Sequence, residues 1–417
     1  PFLFEGETVK KSDLVRQKRL DNDFGGGVFS LDYTKNKVSV SWGGGANYYT
    51  GDHFGQLQWV KNYAGDATFI PGQEYYRSVG EKTDANTYVK ANYLLTNKLN
   101  LYGDLQYRYI HYKTYGSIDR WDWINSQMQV LDIDEHFNFF NPKAGLFYTF
   151  DVENVAYASV AIGHREPSRG NYKDAELTTK PTFERLLNYE AGYTHTQQSF
   201  LLGANVYYMD YENQLVLTGK VNEIGEAIST NIPDSYRAGI ELVAGVRITP
   251  WLKWNGNVTL SQNRIKNYTE YVDVYDENWD WSNQQANALG ETPISFSPNI
   301  IANSVFSFAH KGWSAALQST YVDKQYIDNS GSDERALDAY FVNNLRVGHS
   351  FKLKAMKELT VGFLVNNLFN EQYESNAWVY SKYQQPDAGD AHLDRYADYG
   401  FFPQAGRNFM LNVVLAF

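Results

Sequence analysis

The stretch that decides the fold is the last one, RNFMLNVVLAF, over residues 407–417. Counted back in twos from the final residue, one alternate set is uniformly large and apolar: Phe417, Leu415, Val413, Leu411 and Phe409. Because successive side chains of a strand point to opposite faces, the predicted strand has one fully apolar face. A strand of a soluble sandwich and the closing strand of an outer-membrane barrel both fit this pattern. The aromatic residue at the end of the apolar row suits the membrane interface in the second case.

Composition favours a membrane wall made of strands. The 417 residues include 33 Tyr, 24 Phe and 10 Trp, yet the mean hydropathy is −0.50. A high aromatic content with a low mean hydropathy is typical of strands whose side chains face lipid and water in turn. No run approaches the ~18 consecutive apolar residues that a spanning helix needs. The absence of cysteine excludes a disulfide framework and thiol chemistry. A net charge of −11 argues against nucleic acid as a partner.

Strict alternation of apolar and polar residues is clearest over residues 236–249. One set of alternate positions is apolar throughout, and the other contains three charges. We expect Tyr236, Ile240, Leu242 and Val246 to face lipid. We expect Arg237, Glu241 and Arg247 to face inward. A spanning strand takes about 9–11 tilted residues, and a shift of one residue would expose the charges to lipid.

Short and long connections alternate along the chain, as they do in outer-membrane barrels with short periplasmic turns and long extracellular loops. The predicted long loops cover residues 115–138, 166–185, 268–293 and 370–406. The prediction is an all-β fold, a transmembrane antiparallel up-and-down β-barrel with about fifteen strands present. Since bacterial single-chain barrels have even strand counts, further strands are expected upstream of Pro1.

Three groups of motifs carry a family resemblance. VNNLFN at 365–370 is followed by Tyr373, FER at 183–185 leads to NYEAGY at 188–193, and REP at 165–167 precedes RGNY at 169–172. Together they resemble the TonB-dependent outer-membrane receptors, especially those of Bacteroidetes. The resemblance covers most of the chain and implies a location in the bacterial outer membrane.

The resemblance also implies what the whole protein does. A barrel of twenty-two strands would make residues 1–417 the carboxyl-terminal portion of one barrel domain, with the plug domain and the first strands outside this chain. The implied function is energy-dependent import of a scarce nutrient such as a ferric siderophore, haem or cobalamin. The implied partners are outer-membrane lipid, the transported ligand, the TonB energy-coupling complex acting through the plug, and a surface lipoprotein.

Two other functions stay open on the residues alone, a passive outer-membrane porin and a barrel-type outer-membrane hydrolase. The sequence contains no Gly-x-Ser-x-Gly elbow, zinc-ligand spacing or phosphate-binding loop. We therefore predict no catalytic residue, no resident cofactor and no metal ligand, and we do not expect an enzyme. An acidic run at residues 132–135 is either a Ca²⁺ ligand set or a solvated surface.

Candidate ligand-binding residues come from two predicted loops that each contain Trp-Asp-Trp, and from the last long loop. Indole rings next to carboxylates and arginine provide a stacking surface with hydrogen bonds that orient a ligand. The alternative is that these aromatic residues pack the loops together or lie at the lipid interface. The candidates are Arg120, Trp121, Trp123, Trp279, Trp281, Trp378, Arg395 and Tyr396.

Two glycine triplets, at residues 25–27 and 43–45, flank a predicted turn at Lys35-Asn36. We expect Gly26 and Gly44 to be cross-strand neighbours, so that the two triplets form a bare patch of backbone. Such a patch would allow close approach of another segment or a sharp bend of the wall. A coincidence of sequence is the alternative.

Overall fold

The computed structural model describes residues 2–4, 7–9, 11–63, 68–122, 125–175, 180–222, 225–354, 356–386 and 392–417. Strands dominate, which confirms the all-β prediction, and no helix among these residues is long and apolar enough to cross a membrane. The strands are β1 (Phe2–Phe4), β2 (Glu7–Val9), β3 (Leu14–Lys35), β4 (Val38–Val60), β5 (Gln73–Leu94), β6 (Leu99–Asp122), β7 (Gln127–Thr149), β8 (Asn154–Arg165), β9 (Glu184–Thr196), β10 (Phe200–Val221), β11 (Ala227–Thr249), β12 (Leu252–Tyr275), β13 (Trp281–Pro293), β14 (Ile300–His310), β15 (Trp313–Val322), β16 (Gln325–Tyr326), β17 (Ala336–Leu337), β18 (Tyr340–Leu353), β19 (Met356–Asn366), β20 (Glu374–Gln384), β21 (Asp394–Pro403) and β22 (Asn408–Ala416). One short helix, α1, covers Arg169–Asp174, and a 3₁₀ turn covers Asp333–Arg335.

The chain forms two compact units. Unit 1 comprises residues 1–92, 103–142 and 168–173, and unit 2 comprises residues 93–102, 143–167 and 174–417. In unit 1 the strand order is β3–β4–β5–β6–β7. In unit 2 antiparallel pairing runs from β7 through β8, β9, β10, β11, β12, β14, β15, β18 and β19 to β22. With β13, β20 and β21, the large sheet of the described residues has eighteen strands rather than about fifteen, because these three form in regions predicted as loops.

The strands are longer than the sequence indicates. The regions predicted as loops at 115–138, 268–293 and 370–406 contain the outer ends of β6, β7 and β12, together with β13, β20 and β21. The first long strand, β3, already begins at Leu14. In these extensions apolar residues such as Ile118, Val272 and Val274 are buried against other parts of the protein rather than exposed to lipid, so the apolar alternation that identifies a spanning strand is lost. The hydrogen-bonded ladder nevertheless continues, because each backbone group finds its partner on the neighbouring strand.

The faces of β11 separate as predicted. Arg237 donates from Nη1 to Asn263 Oδ1 at 3.2 Å and to Ser297 Oγ at 3.0 Å. On the same face, Glu241 accepts a hydrogen bond of 3.2 Å from Asn205, its cross-strand partner. On the opposite face, Tyr236 stacks on Tyr208 with ring centroids 5.9 Å apart. Charge and amide groups therefore share one side of the wall, and apolar side chains occupy the other.

The glycine prediction is wrong in register. The turn residues are Asn36 and Lys37, Asn36 has φ of 54°, and Lys35 pairs with Val38. Counting from that pair, Gly26 lies opposite Asn47 and Gly44 lies opposite Phe29. The triplets are offset along the hairpin because the turn is centred one residue later than predicted. Moving the centre of a hairpin by one residue shifts each cross-strand partner by two residues.

Candidate functional site

In unit 2 a packed layer covers the long-loop ends of β10 and β12. It consists of the loop segment 323–339 and the hairpin formed by β20 and β21. Its core contains the buried side chains of Ile327, Leu337, Ala377 and Val379. Strand β20 pairs in parallel with β12 over residues 382–384, and the Tyr380 hydroxyl donates to the carbonyl of Val221 on β10. The layer is therefore held by both an apolar core and backbone pairing.

Asn329 joins the loop segment to the strands beneath it. Its side chain is fully buried, accepts a hydrogen bond of 2.8 Å from the Ser295 amide and donates one of 2.8 Å to the Leu217 carbonyl. A buried amide with these partners satisfies backbone groups that would otherwise lose their hydration without compensation. This contact fixes the loop segment to β10 and to the connection before β14.

A buried group of charges lies where the loop segment, the hairpin and β12 meet. Arg335 donates from Nη1 to Glu270 Oε1 at 2.8 Å and to Asp328 Oδ2 at 2.7 Å, and its side chain is only 7% exposed. Arg395 of β21 donates to the same Glu270 oxygen at 2.5 Å and to its second oxygen at 3.1 Å. Ser381 of β20 also accepts from Arg335 at 3.0 Å. One carboxylate of β12 thus holds an arginine from each of the two covering segments.

The titration of this group, which lies outside the membrane-spanning part of β12, reflects the same contacts. Burial alone would raise the pKa of Glu270, but hydrogen bonds from Arg395 and Arg335 outweigh it and leave the pKa below its ordinary value. Burial, reinforced by the charges of Asp328 and Glu270, raises the pKa of the neighbouring Tyr268 hydroxyl to about 12. At neutral pH the carboxylate is therefore ionised and the phenol keeps its proton.

Above these charges lies an exposed surface, the aromatic–basic patch, formed by Trp279, Lys382, Tyr383, Arg395 and Tyr396. The Trp279 and Tyr396 rings meet edge to face with centroids 5.2 Å apart, and Lys382 Nζ lies 5.3 Å from the Trp279 ring. Arg395 lies over the Tyr383 ring at 5.4 Å. The Trp279 and Tyr396 side chains stay 45% and 41% exposed, so their rings are available to a ligand.

The other predicted residues of unit 2 lie outside the patch. Trp281 donates from Nε1 to Asp273 at 3.3 Å and is 62% exposed. Trp378 packs on Tyr380, with centroids 5.6 Å apart, and closely approaches Gly400 on the neighbouring strand. Trp378 therefore serves packing within the hairpin, as the alternative interpretation of the aromatic residues proposed.

Unit 1 contains the remaining candidates. Arg120 and Trp121 lie at the end of β6, where Arg120 Nη1 contacts the Lys173 carbonyl at 3.5 Å and Trp121 is 45% exposed. Trp123 falls outside the described residues. The neighbouring Asp119 accepts from Arg16 at 3.0 Å and from Lys18 at 2.5 Å. Arg120 and Trp121 therefore lie next to an ion-paired strand surface of unit 1.

The sequence predicted three residues of the aromatic–basic patch and none of the buried charges beneath it. Trp279, Arg395 and Tyr396 were predicted, and the structure brings them together. Glu270, Asp328 and Arg335 were missed, because single charged residues in polar stretches give no pattern in the sequence. The alternation on β12 gave no signal for Glu270, because this residue falls in the same alternate set as Val258 and Leu260, and register shifts between Ile265 and Thr269 precede it.

Comparison with known proteins identifies the family. The family model described as "TonB dependent receptor-like, beta-barrel" matches residues 5–368. Among solved structures, the ferric yersiniabactin uptake receptor FyuA from Yersinia pestis matches with 15% identity and a TM-score of 0.62, over 95% of this chain and 54% of that one. The ferric-catecholate import receptor Fiu from Escherichia coli K12 in its closed form matches with 16% identity and a TM-score of 0.64, over 95% and 55%.

The copper transporter OprC matches with 15% identity and a TM-score of 0.67, over 95% of this chain and 57% of that one. At such identities these likenesses show the fold, and this chain spans a little over half the length of each structure. The match to the family model covers most of the sequence and places the protein in the outer membrane of Gram-negative bacteria. The chain belongs to the family of TonB-dependent receptor-like β-barrels.

Proposed function

We propose that the whole protein is an energy-dependent importer and that its cargo is an anionic metal complex with flat or aromatic groups, of which a ferric siderophore is the leading example. The aromatic–basic patch carries this proposal. Two rings that stay exposed offer stacking surface, and Lys382 and Arg395 beside them offer positive charge. The family supports TonB-dependent transport, and three solved structures of similar fold are a ferric yersiniabactin uptake receptor, a ferric-catecholate import receptor and a copper transporter.

Haem also has a flat ring system with carboxylates and fits the same patch, whereas cobalamin, which lacks a flat anionic face, fits it less well. Each positive charge of the patch is balanced by a carboxylate of the protein, Lys382 by Asp398 at 2.7 Å and Arg395 by Glu270 at 2.5 Å. A ligand carboxylate or catecholate would displace Asp398 from Lys382 more easily than it would displace the buried Glu270 from Arg395. An exposed ion pair contributes little stability, whereas breaking a buried pair is costly.

The proposal includes parts outside this chain. Strand β3 pairs with β4 along its length, and all of its residues are exposed. Strand β22 pairs with β19, and all of its residues are exposed as well. The chain spans a little over half of each solved structure that it matches. We infer that residues 1–417 are the carboxyl-terminal portion of one barrel domain, that upstream strands cover the exposed surfaces of β3 and β22, and that a plug domain couples transport to the TonB complex.

Uptake experiments with the full-length receptor test this function. Cells that express it would be supplied with labelled ferric siderophores, haem or cobalamin, with and without an intact TonB complex. The proposal expects uptake of an anionic iron complex that disappears when TonB is deleted or the proton-motive force is collapsed. Uptake that persists without TonB would identify a passive porin instead.

Matched variants test the patch itself. Trp279→Ala with Tyr396→Ala removes both exposed rings, and we expect cargo binding to weaken by about 1–3 kcal/mol per ring lost. Trp281→Ala is the control, because this exposed indole lies on the same β12–β13 hairpin but bonds Asp273 rather than the patch. Equal affinity of the double variant and the control would show that the cargo binds elsewhere.

A further inference from the structure

Two histidines and an aspartate converge on one point of the β6–β7 hairpin in unit 1. His111 Nε2 lies 2.8 Å from Asp134 Oδ1, and His136 Nε2 lies 3.5 Å from the same oxygen. The two imidazole rings stack with centroids 4.1 Å apart and planes inclined by 8°. Among the residues that the structure describes, these three offer ligand atoms that all lie within 4.8 Å of one another.

The three side chains share the exposed face of the hairpin. On β6 this face continues to Tyr107 and Leu105, and on β7 it continues to Phe140, all of which are exposed. The opposite face carries Ile110, Phe137 and Phe139, which form a buried cluster. The cluster therefore lies on the exposed side of the hairpin, about midway along β6 and twelve residues from its start.

We propose that His111, Asp134 and His136 bind a divalent transition-metal ion of intermediate softness, such as Zn²⁺, Cu²⁺ or Ni²⁺, at a site separate from the aromatic–basic patch. Imidazole nitrogens suit these ions, and one carboxylate completes a ligand set of three. Ca²⁺ is excluded as the preferred ion, because it takes six to eight oxygen ligands and two of the three groups here are nitrogens.

The distances fit such a site. Ligand atoms at about 2.0–2.2 Å from one ion lie about 3–3.5 Å from each other, which is close to the separations around Asp134 Oδ1. The stacked rings must tilt to aim both nitrogens at one ion. Rotation about the bond to the ring is soft, and the His111 and His136 side chains are 34% and 54% exposed, so this adjustment meets little resistance.

Tyr109 supports the required tautomer of His136. Its hydroxyl lies 3.0 Å from His136 Nδ1. When Nδ1 carries the proton and donates it to the Tyr109 oxygen, Nε2 keeps a free electron pair that points toward Asp134. Such outer hydrogen bonds orient metal-binding imidazoles and raise their basicity. With three protein ligands, the ion keeps an open position for an oxygen of water or of a lipid phosphate.

Titration with ZnCl₂ tests the site in the purified full-length receptor, in detergent and with any affinity tag removed. Isothermal titration is expected to show one equivalent bound by the wild type, and loss of that equivalent in His111→Ala and in His136→Ala. His310→Ala, an exposed histidine beside the β14–β15 turn, serves as the matched control and should bind as the wild type does. Tyr109→Phe should weaken binding by about 10–100-fold, because it removes only the orienting bond.

Electron paramagnetic resonance with one equivalent of Cu²⁺ tests the site in the wild type alone, where the spectrum should show hyperfine coupling to two nitrogens. The His136→Gln variant should then show coupling to one nitrogen. Gel mobility before and after heating checks that each variant is folded. Binding that is unchanged in both histidine variants, or a wild type that binds no Zn²⁺, would overturn the proposal. Cargo uptake does not enter either test, so the proposed import function can fail without affecting it.

Discussion

Glu270 of β12 and Arg395 of β21 lie 125 positions apart in the chain, yet Arg395 Nη2 is 2.5 Å from Glu270 Oε1. The same carboxylate also binds Arg335 of the loop segment 323–339. Because Arg395 belongs to the aromatic–basic patch as well, the contact that fixes the covering layer also positions a proposed cargo-binding residue. Stability of the layer and the shape of the patch are thereby linked.

Glu270→Gln is expected to loosen the hairpin. The substitution leaves two guanidinium groups without their shared carboxylate, and breaking a buried ion pair from one side typically costs about 3–5 kcal/mol. Hydrogen exchange of residues 374–403 should accelerate, and limited proteolysis should cut there first. Asp398→Asn is the control, since it removes an exposed pair with Lys382 and should change stability by less than about 1 kcal/mol. Equal protection in both variants would contradict a holding role for Glu270.

Gly44 and Gly27 are expected to respond differently to the same substitution. A Cβ on Gly44 would meet the Asn86 carbonyl oxygen, the Phe29 ring at 3.1 Å and Thr87 Cα at 3.2 Å, whereas a Cβ on Gly27 has nothing within 4 Å. Gly44→Val should therefore destabilise the barrel by about 1–3 kcal/mol through overpacking, and Gly27→Val should not. Unfolding by guanidinium in detergent measures both. Equal midpoints would show that β4 can shift away from β5 at little cost.

The two faces of β11 are expected to tolerate charge differently. Leu242 lies on the apolar face and Val243 on the face of Arg237 and Glu241. Leu242→Arg places a charge in lipid near the middle of the span, at a cost of about 2–4 kcal/mol, whereas Val243→Arg keeps it on the polar side. Comparison of folding yields and unfolding midpoints in lipid bilayers measures this difference. A larger loss for Val243→Arg would reverse the assignment of the faces.

His53 is expected to make stability depend on pH. It lies in the long outer part of β4. Burial and the charge of Arg169 lower its pKa to about 4. The charge of Asp52 opposes this shift, and the charge of Lys173 adds to it. Between about pH 6.5 and pH 4 the unfolded chain binds a proton on this residue that the folded chain does not, so stability falls as the pH falls. Above pH 6.5 both states are neutral and the effect vanishes.

His53→Gln should therefore lose less stability than the wild type between pH 7 and pH 4, by on the order of 1–2 kcal/mol, since the half-buried ring is partly screened by solvent. Unfolding midpoints at pH 7, 5.5 and 4 give the comparison. His310→Gln is the control for the substitution itself, because that histidine is exposed at the end of β14. Parallel profiles for His53→Gln and the wild type would contradict the lowered pKa.

The sequence by itself determined the membrane-spanning wall. Apolar residues at every second position of β11 and β22 predict strands with one apolar face, and together with the composition they indicate a face in lipid; that local pattern needs no distant contact to be recognised. Alternating short and long connections then determined antiparallel order, and the motifs near residues 183–193 and 365–373 indicated the family that the comparison confirmed.

Only the tertiary structure decided how far the strands extend, how the glycine triplets register and how the site is held. Beyond the bilayer the strands pack against covering segments instead of lipid, so the apolar periodicity disappears while the hydrogen bonding between strands continues. The β3–β4 register follows from the left-handed conformation of Asn36, which shifts every pair after it. Glu270, Arg335 and Arg395 are distant in the sequence and form ion pairs only in the folded protein. His111 and His136 likewise come together only through the pairing of their strands. A charged residue has no fixed partner in the sequence, because Coulomb attraction and hydrogen bonding act through space and the fold alone sets those distances.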